Sequence, residues 1–248
     1  KKYNAKFAVV TGAASGIGLN IAKYLKSLNI EVIVIDKQPI QMEFGFNHWF
    51  KYDFADLSTF EADFSNFLIQ SGIPTEQIGL CFSNAGYGEY ALFSESSFAS
   101  KQRFLSVNLH SHIALSDFMV KLFRNRESKS AIVFTSSLNA NVPGSYVSMY
   151  HTVKNALSSF ACAISTESKK IDFLAVHPSA VSQTSFYQQM LYQDKKVPIV
   201  ADLQSTFLAV KSEQIVRQIF SKLGKVRSCQ VGFAAVGGAV LYKLGRNV

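Results

Sequence analysis

Tyr150 and Lys154 stand four residues apart, a spacing that puts two side chains on one face of a helix. A phenol, with a reference pKa of about 10, is a poor base near neutral pH. An adjacent ammonium stabilises the phenolate and lowers that value, each unit corresponding to about 1.4 kcal/mol. Such a pair could take a proton from a hydroxyl, or return one to a carbonyl oxygen. Ser137, thirteen residues before Tyr150, follows an apolar run, where its hydroxyl could hold and orient the same oxygen. Spacing alone does not single out this set, because Ser179, Tyr192 and Lys196 repeat it. Tyr150 opens a stretch rich in Ala and Ser that suits a long helix, whereas Pro198 interrupts the stretch around Tyr192. The reading therefore rests on Tyr150.

A second group lies near the start. Gly12, Gly16 and Gly18, with Ser15 and Ile17 between them, separate the apolar run Phe7 to Val10 from a helical pattern carried by Ile17, Ile21, Ala22, Leu25 and Leu28. Glycines there allow a tight bend, close approach of the backbone to a pyrophosphate, and helix packing on the sheet. The N-terminus of the helix offers N–H groups and partial positive charge to phosphates. Asp36 ends the next apolar run, Val32 to Ile35, where a carboxylate can accept from an adenosine ribose 2′-hydroxyl and repel a 2′-phosphate. NAD is therefore expected ahead of NADP. Ser15 adds no charge to the turn, while Lys37, beside Asp36, works against that preference.

The elements that must position these groups alternate. Leu57 to Gln70, Phe98 to Phe123 and Tyr150 to Glu167 carry helical apolar spacing. Ile78 to Phe82, Ala131 to Phe134 and Phe173 to Val176 are short continuous apolar runs, as buried parallel strands are. The pattern predicts an α/β fold: a Rossmann-like, doubly wound parallel sheet in a three-layer α/β/α arrangement, with residues 1–248 as one domain. With 48% apolar and 17% charged residues, the chain is neither disordered nor acidic and solvating. Three cysteines give no disulfide framework, and Cys162 is expected to be a buried apolar residue. His110 and His112, two apart on a helix, do not share a face, so no metal site is expected. The net charge of +8 is spread along the chain and no nucleic-acid motif is present, which argues against a nucleic-acid partner.

The run Thr11-Gly12-Ala13-Ala14-Ser15-Gly16-Ile17-Gly18 resembles the short-chain dehydrogenase/reductase (SDR) family, and further motifs of that family follow in order up to Pro178. The resemblance implies an oxidoreductase moving a hydride between a nicotinamide cofactor and a secondary alcohol or ketone. It makes Asp53, with Phe54 beside it, the adenine-side acidic position. Asn84-Ala85-Gly86 becomes the turn after the fourth strand, with Ser83 where the family has a first Asn. Asn108 becomes the residue that anchors a water in a proton relay, and Ser137, Tyr150 and Lys154 the catalytic set, with Lys154 also holding the nicotinamide ribose. Pro178 and Val181 fall in the nicotinamide-side segment. There the family's Pro-Gly-x-Val-x-Thr is replaced by Pro178-Ser179-Ala180-Val181-Ser182-Gln183, leaving Gln183 or Thr184 for the carboxamide.

Segment 184–210 takes the place of the family's substrate lid. Its many apolar residues point to a hydrophobic substrate: steroid-like, fatty-acyl or another lipid alcohol. The apolar tail from Val231 to Leu244 is too short to span a bilayer and would pack in an oligomer, cover the site or lie on a membrane. The resemblance also implies a homodimer or homotetramer built on the two long helices. A cytoplasmic location is expected, with peripheral membrane contact or a missing N-terminal anchor left open. A catalytically silent nucleotide sensor or scaffold is the alternative, favoured only by the altered segment after Pro178.

Overall fold

The computed structural model describes residues 2–140, 144–182, 186, 191–192, 195–196 and 209–232. Strand β1 (Phe7–Thr11) lies inside the sheet, and every residue from Ala8 to Thr11 is buried. Helix α1 (Gly16–Ser27) leads to β2 (Glu31–Asp36), which pairs in parallel with one side of β1. The short edge strand β3 (His48–Lys51) pairs with β2. After α2 (Phe60–Gln70), β4 (Ile78–Ser83) pairs with the other side of β1. Helix α3 (Phe98–Leu105), a π turn (Ser106–His110) and α4 (Ser111–Phe123) precede β5 (Ser130–Thr135). Then come α5 (Ser148–Ile164), β6 (Ile171–Pro178), the two-residue strands β7 (Leu191–Tyr192) and β8 (Lys195–Lys196), α6 (Ser212–Lys222) and β9 (Ser228–Val231).

The main sheet has the order β3-β2-β1-β4-β5-β6-β9, and all its pairings are parallel. Because successive side chains on a strand face opposite sides, Val9 and Val10 enter two different cores. Val10, Val34, Phe82, Val133 and Val176 pack with Ile21 and Leu25 of α1 and Ile215 and Ile219 of α6. Val9, Ile35, Ile132 and Phe134 pack with Phe64 of α2, Met119 of α4 and Leu157 of α5. Two helical layers thus sandwich the sheet, and the strand order reverses at β1 and β4, where such sheets bind ligands.

Several details depart from the expectations. The stretch Phe98 to Phe123 is not one uniform α-helix: the π turn at Ser106–His110 inserts an extra residue and buries Asn108. Strands β3 and β9, which are short and carry polar residues, complete the sheet. Cys162 is exposed rather than buried. The buried residues of α5 are Tyr150, Val153, Lys154, Leu157 and Ala161, and position 162 is rotated off that stripe. Tyr192 and Lys196 lie on opposite strands of the antiparallel β7–β8 pair, so they do not form a helical pair.

At the amino ends of the strands, Arg126 is 6% exposed and acts as a clamp. Its Nη1 donates to the carbonyls of Glu76 and Ile78, and its Nη2 to those of Tyr3 and Asn4.

Candidate functional site

At the carboxyl ends of the strands a cleft of about 390 Å³ runs across the switch point. One end is bordered by Asp36, Lys37, Asp53 and Arg103, and the other by Ser137, Tyr150, Lys154 and Phe186. The glycine turn joins them. Gly12 has φ +66° and Gly16 φ +58°, a left-handed conformation that L side chains rarely adopt. A Cβ on Gly12 would also stand 2.9 Å from Ala85 Cα, so the turn packs directly on the segment after β4. Gly18, in the first turn of α1, is buried against the Gly12 carbonyl. Thr11 secures that contact, its Oγ1 accepting from the backbone N–H groups of Asn84 and Ala85 at 2.9 Å each. Asn84 Nδ2 donates to the Thr11 carbonyl, and Thr135 Oγ1 donates to Asn84 Oδ1, tying β1, β4 and β5 together beneath the cleft.

The donor set suits a dinucleotide. Among the described residues the Ser15 side chain does not cap α1, and no acidic residue stands in the helix's first turn. Its first N–H groups, which have no partner within the helix, are therefore left for an anion. Ser15, Gly16 and Ile17 all border the cleft. Asp36 closes β2, and its carboxylate accepts from the Ala14 N–H at 2.9 Å and the Gln38 N–H at 2.9 Å. Both bonds hold the negative charge at the mouth of the turn. Asp53 forms an exposed ion pair with Arg103 at 3.0 Å, and Phe54 is buried beside it. Pro178 and Val181 line the opposite wall. Gln183 and Thr184 lie outside the described residues, as do the tail beyond Gly232 and most of segment 184–210.

Tyr150 and Lys154 both lie on the buried stripe of α5, the Lys154 ammonium 5.7 Å from the centre of the Tyr150 ring. Lys154 Nζ donates to the Thr135 carbonyl at 2.8 Å. At 3% exposure its ammonium loses hydration, and burial pushes its pKa down to about 8. Ser137 follows β5, whose last residue is Thr135, and faces the same cleft. The Phe186 ring lies 5.8 Å from that of Tyr150.

Asn108 is fully buried and does not border the cleft. Its Oδ1 accepts from the Tyr87 N–H at 3.0 Å, and its Nδ2 donates to the Phe104 carbonyl at 3.1 Å. Its side chain thus holds the π turn against the segment after β4. Among the described residues, no group of three or more His, Cys, Asp or Glu could hold a metal ion. None of the described helices is long and apolar enough to cross a membrane.

Two buried histidines have roles that the sequence does not show: it weighs His112 only as a metal ligand and gives His177 no role. His112 shares a 2.6 Å bond with Ser83 Oγ. Burial first, and then the charge of Lys154, push its imidazole down to about 3, so it is neutral. His177, the last residue but one of β6, lies next to Ser137 and Ser158. A polar residue at the carboxyl end of an otherwise apolar strand is the signal that could have flagged it.

A family model described as short chain dehydrogenase matches residues 6–195. The NADPH-dependent 1-acyldihydroxyacetone phosphate reductase of Saccharomyces cerevisiae is 29% identical over 183 residues, covering 69% of this chain and 59% of the yeast protein. The chain spans about three fifths of the length of the first curated relatives it matches. A short-chain dehydrogenase from Streptomyces avermitilis superposes with a TM-score of 0.81 at 19% identity, over 100% of this chain and 95% of that one. One from Burkholderia phymatum, solved in complex with NAD, gives 0.81 at 16% identity with the same coverage. At those identities the two structures establish the fold alone.

Proposed function

The chain belongs to the short-chain dehydrogenase family, and on that premise we propose that it is an oxidoreductase interconverting a secondary alcohol and a ketone with a nicotinamide cofactor. The observation that carries this is the meeting of Ser137, Tyr150 and Lys154 with the glycine turn in one cleft. When bound, the nicotinamide supplies the hydride acceptor or donor. The chain's own residues handle the proton and the orientation. Ser137 Oγ bonds the substrate oxygen and fixes its direction. The Tyr150 phenolate takes the alcohol proton in oxidation, and the phenol returns one to the carbonyl oxygen in reduction. The buried Lys154 ammonium favours the phenolate and would also hold the nicotinamide ribose hydroxyls. Asn108 serves by keeping the π turn, and with it the wall of the cleft, in place.

Gly12, Ser15, Gly16, Ile17 and Gly18 would hold the pyrophosphate, with Asn84, Ala85 and Gly86 as the facing wall. Asp53 and Phe54 would flank the adenine, and Pro178 and Val181 the nicotinamide. NAD is proposed ahead of NADP because the Asp36 carboxylate is fixed where a 2′-phosphate would lie. Lys37 in the same cleft, and the NADPH dependence in the yeast relative's name, weigh on the other side. Titration of NADH and NADPH into the wild type and Asp36→Ala decides: NADH should bind more tightly, and the variant should lose the preference. Tighter NADPH binding by the wild type would reverse the assignment.

The substrate end is aromatic, with Tyr87, Tyr150 and Phe186 on its walls, which supports a hydrophobic alcohol or ketone. Residues 1–248 are read as one unit with 184–210 as its lid. Assembly as a homodimer or homotetramer through the two long helical stretches is favoured by the exposure of Ile113 and Cys162 on them. Activity on a panel of hydrophobic secondary alcohols and ketones should fall about 10²-fold or more in Tyr150→Phe, with cofactor affinity retained. Undiminished turnover in that variant would overturn the proton-transfer role.

A further inference from the structure

His177 is 2% exposed and sits where three elements of the site converge. It is the residue before Pro178 at the carboxyl end of β6. Its Nδ1 lies 3.2 Å from the carbonyl oxygen of Ser137, and its Nε2 lies 3.3 Å from Ser158 Oγ. Ser158 stands one helical turn after Lys154 on α5. The ring therefore bridges the β5 exit, the end of β6 and the helix carrying Tyr150 and Lys154.

The chemistry of these contacts fixes the ring's tautomer. A carbonyl oxygen can only accept, so the nitrogen facing it must carry the proton. In the neutral ring Nε2 is then an acceptor, and Ser158 Oγ–H is the donor available to it. Burial holds the imidazole below its ordinary range; the Ser137 carbonyl opposes it, and the charge of Lys154 adds a smaller push downward. A neutral ring with the proton on Nδ1 satisfies both contacts.

The Ser137 carbonyl has a second donor, the Ala140 N–H at 3.0 Å. The preceding residue is held as well: the Ser136 N–H donates to the Val176 carbonyl at 2.8 Å, and Ser136 Oγ donates to the Lys154 carbonyl at 2.9 Å. Residues 136 and 137 leave the sheet, so the β-ladder no longer fixes their direction. Their side chains instead depend on these bonds. For Ser137, the bond from His177 ties its carbonyl to β6.

We propose that His177 is a positioning residue for the reaction, its Nδ1–H pinning the Ser137 peptide so that the Ser137 hydroxyl points at the substrate oxygen. This rests on the oxidoreductase reading above. His177 touches no reacting atom and acts through Ser137. A misplacement of about 1 Å at such a hydroxyl is enough to cost a large part of the rate.

Two measurements test it. In protein labelled with ¹⁵N-histidine, long-range ¹H–¹⁵N spectra at pH 7 should show the His177 ring neutral with Nδ1 protonated, its signal among the five histidines identified by its loss in His177→Asn. An Nε2–H or doubly protonated ring overturns the proposal whether or not a substrate is known. In kinetics, His177→Leu should lower kcat about tenfold or more while the cofactor dissociation constant and substrate KM stay within about threefold. In a Ser137→Ala background the same change should cost less than about threefold, because no hydroxyl remains to be aimed. His177→Asn, whose amide can donate to the same carbonyl, should recover most of the rate. Equal losses in both backgrounds, or no rescue by Asn, would mark a purely structural residue and overturn the proposal. If His177→Leu does not fold, the tautomer and the Asn variant still decide. A wild type that turns over no secondary alcohol or ketone overturns the oxidoreductase reading instead, and the tautomer is then read on its own.

Discussion

Replacing Lys154 with Met should make the protein more stable while removing its activity. The ammonium is 3% exposed, and burial lowers its pKa from 10.5 to about 8. A difference of that size corresponds to about 3 kcal/mol between the protonation states. The folded pKa lies below the unfolded one, so between pH 8 and 10.5 the unfolded chain binds more protons, and stability rises with pH across that window. Below pH 8 the whole penalty is present. Methionine has a similar shape and no charge to desolvate, but it forfeits the 2.8 Å bond to the Thr135 carbonyl, worth about 1 kcal/mol. The net expectation at pH 7 is about 2 kcal/mol in favour of Lys154→Met, or roughly 4–8 °C in Tm for a chain of this size. Urea unfolding of both proteins from pH 6.5 to 10.5, without cofactor, reads it directly. The difference should be constant below pH 8 and shrink steadily above. A variant less stable than the wild type at pH 7, or a difference indifferent to pH, would refute the claim that Lys154 is a strained, desolvated cation held for function.

Two further outcomes follow from buried groups away from the reacting atoms. Arg126→Met leaves four carbonyls without their donor and should cost about 3 kcal/mol, seen as a fall in the urea midpoint with cofactor selectivity unchanged. His112 is held near 3 against an ordinary 6.5, so the unfolded chain takes up its proton first as pH falls. Between pH 6.5 and 4 this should cost the wild type about 3 kcal/mol that His112→Asn does not lose, measured as the difference between their acid unfolding curves.

The parts of the fold read correctly from sequence were those with a strong period or an unbroken apolar run. β1, β2, β4, β5 and β6 are buried on both faces and so appear as continuous Val, Ile, Leu and Phe stretches. β3 reads His-Trp-Phe-Lys and β9 Ser-Cys-Gln-Val, because an edge strand has fewer faces to bury and its composition no longer marks it. The π turn was invisible because Phe104, Val107, Leu115 and Phe118 keep a helical rhythm on either side of the extra residue. In the candidate site, the glycine turn and the Tyr150–Lys154 pair were legible because local spacing alone brings their members together. The Ser83–His112 and Ser137–His177 contacts join residues 29 and 40 apart, and only the sheet's topology makes them neighbours. Cys162 was misjudged because a helix of small residues gives little contrast between its two sides.

The bonds that the backbone N–H groups of Asn84 and Ala85 donate to Thr11 constrain how the chain is made. The turn that would receive the pyrophosphate has one wall from the first twenty residues and another from beyond residue 80. Lys154 and Pro178 arrive later still. At about 5–20 residues per second, a ribosome needs several seconds to pass from Ala85 to Pro178. During that time β1 has β2 and β4 beside it, but the far edge of β4 must wait for β5 and then β6, leaving a greasy strand edge exposed to neighbouring nascent chains. A nucleotide cannot stabilise the early intermediate, because the pocket is stitched from segments made far apart in time. Protection by cofactor should therefore appear late in refolding, after β6 has docked, and all at once.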